Sequence, residues 1–458
     1  MKKIRMFLAI LLCKLLRAVS RLLHRGGTAM PGRYAMKLYP ELLTELSKDV
    51  TCIAVTGTNG KTTTARMVEE ILNDAGMDCF SNRSGANLID GITTEYVMNC
   101  TLSGKMKKHY SVIECDEAAA KKVFPRLKPA AVIVTNLFRD QLDRYGTVKN
   151  TLGFIKEGLA GTPGTVMCLN ADDPVTSCLG TLLNNKAIYY GMTPAAVFTA
   201  APSPSDETKC PVCENELLYS GGIYSQLGYF SCNYCGHRRH EPDFAVISID
   251  AENEDSSEVT FSVSGREEKL LINQPAVYNI YNAAGACAAA TVLGVESDVI
   301  KKALASFSCG FGRMENFELG KAGAKMMLAK NPVGCGQVIE FMEKKPGPMS
   351  VVICLNDRVG DGRDISWIDE TDFERLAGYQ DKISRVYVSG GRAADMADRL
   401  IRAGIEQEKL LVEKNYDTLV DLLAAEENMI YMMPNYTSMI ELRGAIVKKI
   451  GGADFWEG

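Results

Sequence analysis

The sequence predicts an α/β protein in two main parts: a doubly wound sheet that carries a small cysteine-rich insert, then a second α/β domain. Three observations predict it. At residues 51–76 a β-branched run, TCIAVT, passes through the turn GTNG into a helix-forming stretch, KTTTARMVEEILNDAG. Short apolar runs recur downstream, each ending in polar residues, as parallel strands do where they deliver side chains to one edge of a sheet. Cys210, Cys213, Cys232 and Cys235 form a C-x2-C-x18-C-x2-C pattern inside a Pro- and Ser-rich segment.

With 458 residues, 46% of them hydrophobic, the chain can bury more than one core. Its net charge of -5 gives no basic excess and argues against a nucleic-acid binder. The 15 cysteines fall mostly as single residues in apolar runs, which fits a reducing cytoplasm better than a disulfide framework. The leader, MKKIRMFLAILLCKLLRAVSRLLHRGG, imitates a secretory signal, but Lys14 and Arg17 interrupt its apolar run and no small-residue cleavage site follows. That run, Met6 to Cys13, is too short to span a bilayer. No acid precedes Glu41, so the segment reads either as a basic amphipathic helix lying on an anionic membrane or as a terminal helix packed on its own domain.

Beyond the first βα unit, YSVIECDEA (110–118), AAVIVTNL (130–137) and GTVMCLNADDP (164–174) each read as a strand that ends in polar residues. The cysteine-rich insert has no helical periodicity, and an alanine-rich helical stretch follows at 276–306. After Gly310 the alternation resumes with MSVVICLND, SRVYVSGG and MIYMMPNY. The organisation is thus a leader at 1–47, a middle domain at 48–310 with its insert at about 205–242, and a C-terminal α/β domain at 311–458.

The turn at 57–63 has the chemistry of a phosphate loop. Glycines let backbone N–H groups face an anion, the next helix adds its positive end, a lysine neutralises the outer phosphates and a hydroxyl holds Mg²⁺. Thr58, Asn59, Gly60, Lys61, Thr62 and Thr63 supply these parts. The loop is two residues shorter than the common form, whose first glycine position is Val55 here.

At this point TGTNGKTTT resembles the ATP loop of the Mur ligase superfamily, which includes folylpolyglutamate synthases. VIECDEA, TNLFRDQLDRYG, LNADDP, YNIYNAAGA and FGRMENF match the same pattern in the same order. The resemblance implies a ligase that uses ATP to turn a carboxylate into an acyl phosphate, from which an amine displaces phosphate. It places Lys61 on the β and γ phosphates, Thr62 on Mg²⁺ and Glu114 as a further Mg²⁺ ligand, with Asp116 and Glu117 as alternatives. It also sends Asn279 toward the adenine and Arg313 toward the phosphates. For Asn279 and Asn282 the alternative reading is a cap of the alanine-rich helix, and for Asp140 and Asp143 it is a pair of salt bridges within a loop.

Two departures narrow the resemblance. The four cysteines suit a closed tetrahedral Zn²⁺ site with a structural role, a ribbon too small to fold on its own core; disulfides are the alternative. Where amino-acid-adding Mur ligases carry a stretch like DYAHNP, this chain has LAKNPVG (328–334), followed by an acidic segment, NDRVGDGRDISWIDETDFE (356–374). With MPGRYAMKLYP (30–40), these features resemble the MurT family, the ATP-using subunits of lipid II isoglutaminyl synthases, over nearly the whole chain.

That resemblance implies amidation of the α-carboxylate of D-glutamate in the lipid II stem peptide, with ammonia taken from glutamine. A class I glutaminase needs a cysteine nucleophile and a histidine base. The chain has four histidines, none after His240, and Cys287 sits in an alanine-rich helix where core packing explains it better. A separate GatD-like class I glutaminase is therefore implied, as a heterodimer partner to which this chain lends the acid that orients the histidine. Asp364 or Asp361 fills that role, with Asp364 preferred. The implied location is the cytoplasmic face of the plasma membrane, with the leader near the lipid-anchored substrate. The competing readings are a Mur-type or folylpolyglutamate-type amino-acid ligase, and an ATP-binding regulatory module without catalysis.

Overall fold

A computed structural model describes residues 2–22, 28–82, 86–139, 147–196, 209–263, 265–310 and 312–451. Asp140, Asp143 and the start of the cysteine-rich insert lie outside the described residues. Contacts divide the chain into two units, the first running to residue 307 without the segment 139–146, and the second holding Arg139 and the described residues from 308 onward.

The first unit is built on β1 (Thr51–Thr56), β2 (Cys79–Ser81), β3 (Tyr110–Glu114), β4 (Ala131–Val134), β5 (Val166–Asn170), β6 (Ala187–Met192), β9 (Phe244–Glu252), β10 (Ser257–Val263) and β11 (Arg266–Ile272). They form one sheet in the order β11-β10-β9-β6-β5-β4-β1-β3-β2. β9 is parallel to β6, and β10 and β11 close that edge as an antiparallel meander. β1 pairs in parallel with β3 on one side and β4 on the other, so the chain reverses its direction of travel there. The loops after β1, β3, β4 and β5 consequently meet at one edge, where a doubly wound sheet places its ligands.

The stretch read as an alanine-rich helix folds as two helices, Val277–Val292 and Ser297–Ser306. In the first, Ala283 to Ala290 are all buried. Small side chains let this helix lie close to the sheet: a Cβ on Gly285 would come 3.2 Å from Ile133 and from the Tyr190 ring. The insert folds as a separate hairpin of β7 (Leu218–Tyr224) and β8 (Leu227–Ser231).

Of the two readings left open for the leader, packing on its own domain is observed. Helix Lys2–Leu22 buries Ala9, Ile10 and Cys13 in the same core cluster as Cys52, Ala54 and Ile113. The Lys14 ammonium donates to the Cys100 carbonyl at 2.8 Å, and Arg5 to the Leu38 carbonyl at 3.1 Å. Helix Met30–Leu38 meets helix Ile89–Met98 at Gly32, whose N–H donates to Thr94 Oγ1 at 2.9 Å.

The second unit holds β12 (Arg313–Phe317), β13 (Ala324–Met327), β14 (Met349–Cys354), β15 (Ile383–Ser389), β16 (Leu410–Val412) and β17 (Met429–Pro434), ordered β12-β13-β17-β14-β15-β16. β13 to β17 are parallel and β12 is antiparallel to β13. Two asparagines lock the loops after β14 and β17 together: Asn356 N–H donates to Asn435 Oδ1 at 3.1 Å, and Asn435 Nδ2 donates to the Asn356 carbonyl at 2.7 Å.

A Cβ at Gly32 would lie 2.0 Å from the Asp90 carbonyl oxygen, a backbone atom that cannot step aside. Gly32→Ala is therefore expected to cost about 1–3 kcal/mol, the usual range for overpacking. Urea unfolding followed by circular dichroism measures it.

Candidate active site

The loop after β1 is shaped by close approach. Gly57 has φ +125 and Gly60 φ +85, both favourable only to glycine. A Cβ on Gly57 would come 2.3 Å from Thr135 Oγ1, and one on Gly60 would come 2.1 Å from Asn282 Oδ1. Asn136, after β4, holds the loop through its carbonyl, which accepts Thr58 N–H at 2.8 Å, and its side-chain oxygen, which accepts Asn59 N–H at 2.9 Å. Thr58 Oγ1 accepts Phe138 N–H at 3.0 Å. Helix Lys61–Asp74 begins directly behind, and no side chain caps its N-terminus. Its first N–H groups therefore face the loop, as an anion site requires.

Lys61 curls over this loop, donating to the Gly57 carbonyl and, at 2.8 Å, to Glu117 Oε1. Burial works against its charge, but Glu117, Glu114 and Asp116 outweigh it and raise the pKa, so the ammonium stays protonated. Burial raises the Glu117 carboxyl while Lys61 opposes it. Thr62 Oγ1 donates to Glu114 Oε2 at 2.7 Å, bringing two hard oxygen donors together at the mouth of the loop. Asn82 fixes Glu114 by bonding both its N–H, at 2.9 Å, and its carbonyl, at 2.7 Å. Asp116 instead accepts the N–H groups of Ala118 and Ala119 and begins the next turn. The three acids at the end of β3 and just beyond it thus divide the work: Glu114 faces Thr62, Glu117 pairs with Lys61 and Asp116 shapes the backbone.

Asn279 and Asn282 lie behind the loop. Asn282 Nδ2 donates to Asn279 Oδ1 at 3.1 Å, and Asn282 Oδ1 accepts from Thr64 Oγ1 at 3.2 Å. Asn279 Nδ2 donates to the Pro275 carbonyl at 2.8 Å, while the cap position of the helix is Ala276. Arg313 opens β12 in the second unit.

The LNADDP stretch ends in two buried aspartates that tie the insert to this edge. Asp172 accepts Arg239 Nε and Tyr281 O–H, each at 2.6 Å, and Met192 N–H at 2.8 Å. Burial pushes its carboxyl up, with Arg239 opposing. Burial likewise pushes Asp173 up to about 6, against donors that include Gln226 and the Leu137 N–H. Gln226, in the β7–β8 turn, donates to Asp173 Oδ1 at 2.8 Å and to the Leu137 carbonyl at 3.0 Å.

The four cysteines come together at one end of the hairpin. Their Sγ atoms lie within 4.8 Å of one another, with Cys210 to Cys235 and Cys213 to Cys232 both at 3.5 Å. A tetrahedral ion at a Zn–S distance near ~2.3 Å needs sulfur separations of about 3.8 Å, so the set fits. The Asn215 side-chain and backbone N–H groups hold the Cys213 thiol down to about 6, whereas burial pushes the Cys210 thiol up to about 12. Cys210 and Cys232 also pack with Leu217 and Phe230, a core of four buried side chains.

In the second unit the two candidate acids differ. Asp361 is buried and accepts Thr437 N–H at 2.7 Å, Thr437 O–H, and Arg358 N–H at 3.2 Å, so it caps helix Tyr436–Ile450. Burial raises its carboxyl. Asp364 is exposed, and the Ser366 N–H, at 2.8 Å, holds its carboxyl below the usual range.

Comparison with known proteins decides the family. The Mur ligase middle domain model matches residues 55–215 and the MurT ligase C-terminal model matches residues 328–439. The chain is 32% identical to the lipid II isoglutaminyl synthase (glutamine-hydrolyzing) subunit MurT of Streptococcus pneumoniae, over 93% of this chain and 94% of that one. It is also 32% identical to the corresponding subunit of Staphylococcus aureus, over 95% and 96%.

The chain belongs to the MurT family.

Solved structures agree on the fold. A pseudomurein peptide ligase type C from Methanothermus fervidus superposes with a TM-score of 0.67 at 21% identity, covering 90% of this chain and 81% of that one. MurF from Acinetobacter baumannii gives 0.66 at 17% identity, covering 91% and 81%. Membership and fold together make this MurT-family chain an ATP-dependent ligase, the subunit of a larger synthase.

Sequence reading missed Asn136, which bonds the loop, Asn82, which fixes Glu114, and the contacts of Gln226, Arg239 and the LNADDP aspartates that tie the insert to this edge. The paired aspartates were a visible signal, but their partners Arg239 and Tyr281 lie 67 and 109 positions away. Asp172→Asn would leave the Arg239 guanidinium buried without its counter-charge, an expected loss of about 3–5 kcal/mol. Much of it should return in Asp172→Asn/Arg239→Met, and urea unfolding of both variants measures this.

Proposed function

We propose that this MurT-family chain amidates the α-carboxylate of the D-glutamate in the lipid II stem peptide, giving D-isoglutamine. Its full-length similarity to named synthase subunits carries the reading, and the glycine loop with Thr62 facing Glu114 supports it. A carboxylate oxygen attacks the γ-phosphorus of ATP and ADP leaves. Ammonia then adds to the acyl carbon, phosphate departs with the C–O electrons, and nitrogen gives up a proton. The loop amides and Lys61 bind and orient the triphosphate, and Lys61 remains cationic where charge spreads over the phosphoryl oxygens. Thr62 and Glu114 would hold Mg²⁺, which when bound neutralises the phosphate charge.

Ammonia comes from a GatD-like glutaminase bound as the second subunit, at the inner face of the plasma membrane where the substrate is anchored. Of the two acids, Asp364 is the one lent to the partner's histidine. It is exposed and kept ionised, whereas Asp361 is consumed as a helix cap. An acid in this role fixes the imidazole tautomer and stabilises its cation.

The test is ATP-dependent amidation of purified lipid II with ammonium chloride or with glutamine, each with and without a co-expressed glutaminase. Product from ammonia alone, and from glutamine only with the partner, is expected. No product under any condition, with ATP still bound, overturns the reading in favour of a nucleotide sensor. Asp364→Asn should keep the ammonia-driven rate and lose the glutamine-driven rate by roughly 10³- to 10⁴-fold. Asp361→Asn should lower stability and reduce both rates alike.

The cysteine cluster holds a structural Zn²⁺, since four thiolates leave no open position for chemistry. Metal analysis should find one zinc per chain, absent from Cys213→Ser/Cys232→Ser. Chelation should lower the melting temperature and weaken ATP binding, because Gln226 and Arg239 tie the ribbon to the loop's supports.

A further inference from the structure

The leader helix has a second apolar face that its packing leaves uncovered. Ala9, Ile10 and Cys13 point into the core. On the opposite side Ile4, Leu8, Leu15, Val19 and Leu22 are separated by steps of four, seven, four and three residues, which at 100° per residue makes one stripe along the helix. All five are exposed, Ile4 at 65%, Leu15 at 56% and Leu22 at 79%. Phe7 flanks the stripe, and the neighbouring helix Met30–Leu38 exposes Met30 and Tyr34 as well. Monomeric proteins seldom leave so many large apolar side chains in water on one short element.

The charges around the stripe select what covers it. Lys2, Lys3, Arg5 and Arg21 are exposed, and the sequence contains no acid before Glu41. From the packed side, Glu95 on helix Ile89–Met98 faces Arg17 and Arg21, and Asp90 takes Arg33. The remaining cations stand free of acidic partners from the leader itself, beside an apolar stripe. This is the arrangement of a helix lying in a headgroup layer, with its apolar face among acyl chains and its cations among phosphates. A second copy of the chain would bring the same cations against these and is disfavoured by like charge.

We propose that the docked leader helix is the membrane-facing surface of this protein, inserting Ile4, Leu8, Leu15, Val19 and Leu22 into an anionic bilayer without leaving its place in the core. No helix among the described residues is long and apolar enough to cross a membrane, so the contact is interfacial. The proposal rests on the reading that the substrate is lipid-anchored, and it adds which face meets the lipid and how.

Because the same helix fills part of the core, removing it would damage the fold as well as the surface. The test therefore uses the full chain and exposed substitutions, Leu15→Glu/Val19→Glu and, separately, Lys2→Glu/Lys3→Glu, which leave the Arg21–Glu95 pair intact. Co-sedimentation is measured with vesicles of phosphatidylcholine and of equal parts phosphatidylcholine and phosphatidylglycerol. The unmodified chain should bind the anionic vesicles and release with salt, and each variant should bind them on the order of tenfold or more weakly at an unchanged melting temperature. Failure of the unmodified chain to bind, or binding by either variant as tight as that of the unmodified chain, overturns the proposal. So does a dimer of the unmodified chain without lipid that Leu15→Glu/Val19→Glu converts to a monomer, which would make the stripe a contact between copies. Amidation of detergent-dispersed lipid II, measured alongside, separates the two ideas: product without vesicle binding sinks the surface alone, and vesicle binding without product sinks the functional reading alone.

Discussion

The buried carboxylate of Asp172 is the constraint on which the first unit turns. It has no exposure, so its charge is tolerable only through the three donors that converge on it, and each comes from a different part of the chain. Arg239 arrives from beyond the cysteine knuckles, Tyr281 from the alanine-rich helix and Met192 from the end of β6. Tyr281 is followed in sequence by Asn282, which presses on Gly60. One buried ion pair therefore aligns the ribbon, the long helix and the phosphate loop together.

Alongside it runs a second route. Gln226 reaches from the hairpin turn to Asp173 and Leu137, and Leu137 follows Asn136, the residue that grips Thr58 and Asn59. The insert is thus tied to the residues that support the glycine loop. The hairpin itself has a core of only four buried side chains, so its contacts with Asp173 and Leu137 help hold it in place.

Much of this architecture was legible in the sequence, and the reasons divide cleanly. β1, β3, β4, β5, β14, β15 and β17 are buried apolar runs with polar ends, a local signal, and all were readable. β2 has three residues and β16 has three, too short to show a pattern, and the β9–β11 meander is half exposed and charged. The glycine turn between β1 and helix Lys61–Asp74 was readable because strand, glycines and helix former are adjacent in the chain. Its supports were not, because Asn136 and Asn282 earn their place only through tertiary contact. That the leader packs on its own domain was not decidable from the sequence, because its partners Cys52, Ala54 and Ile113 are brought beside Ala9, Ile10 and Cys13 only by the fold.

Gly60 and Asn282 carry one more implication. Because Asn136 bonds the loop and Asn282 closes on Gly60 from behind, the turn is ordered when the protein folds. The conformational entropy of ordering that turn is then charged to folding, and association with nucleotide is spared it. The affinity of such a loop is in that sense set partly by the side chains packed behind it.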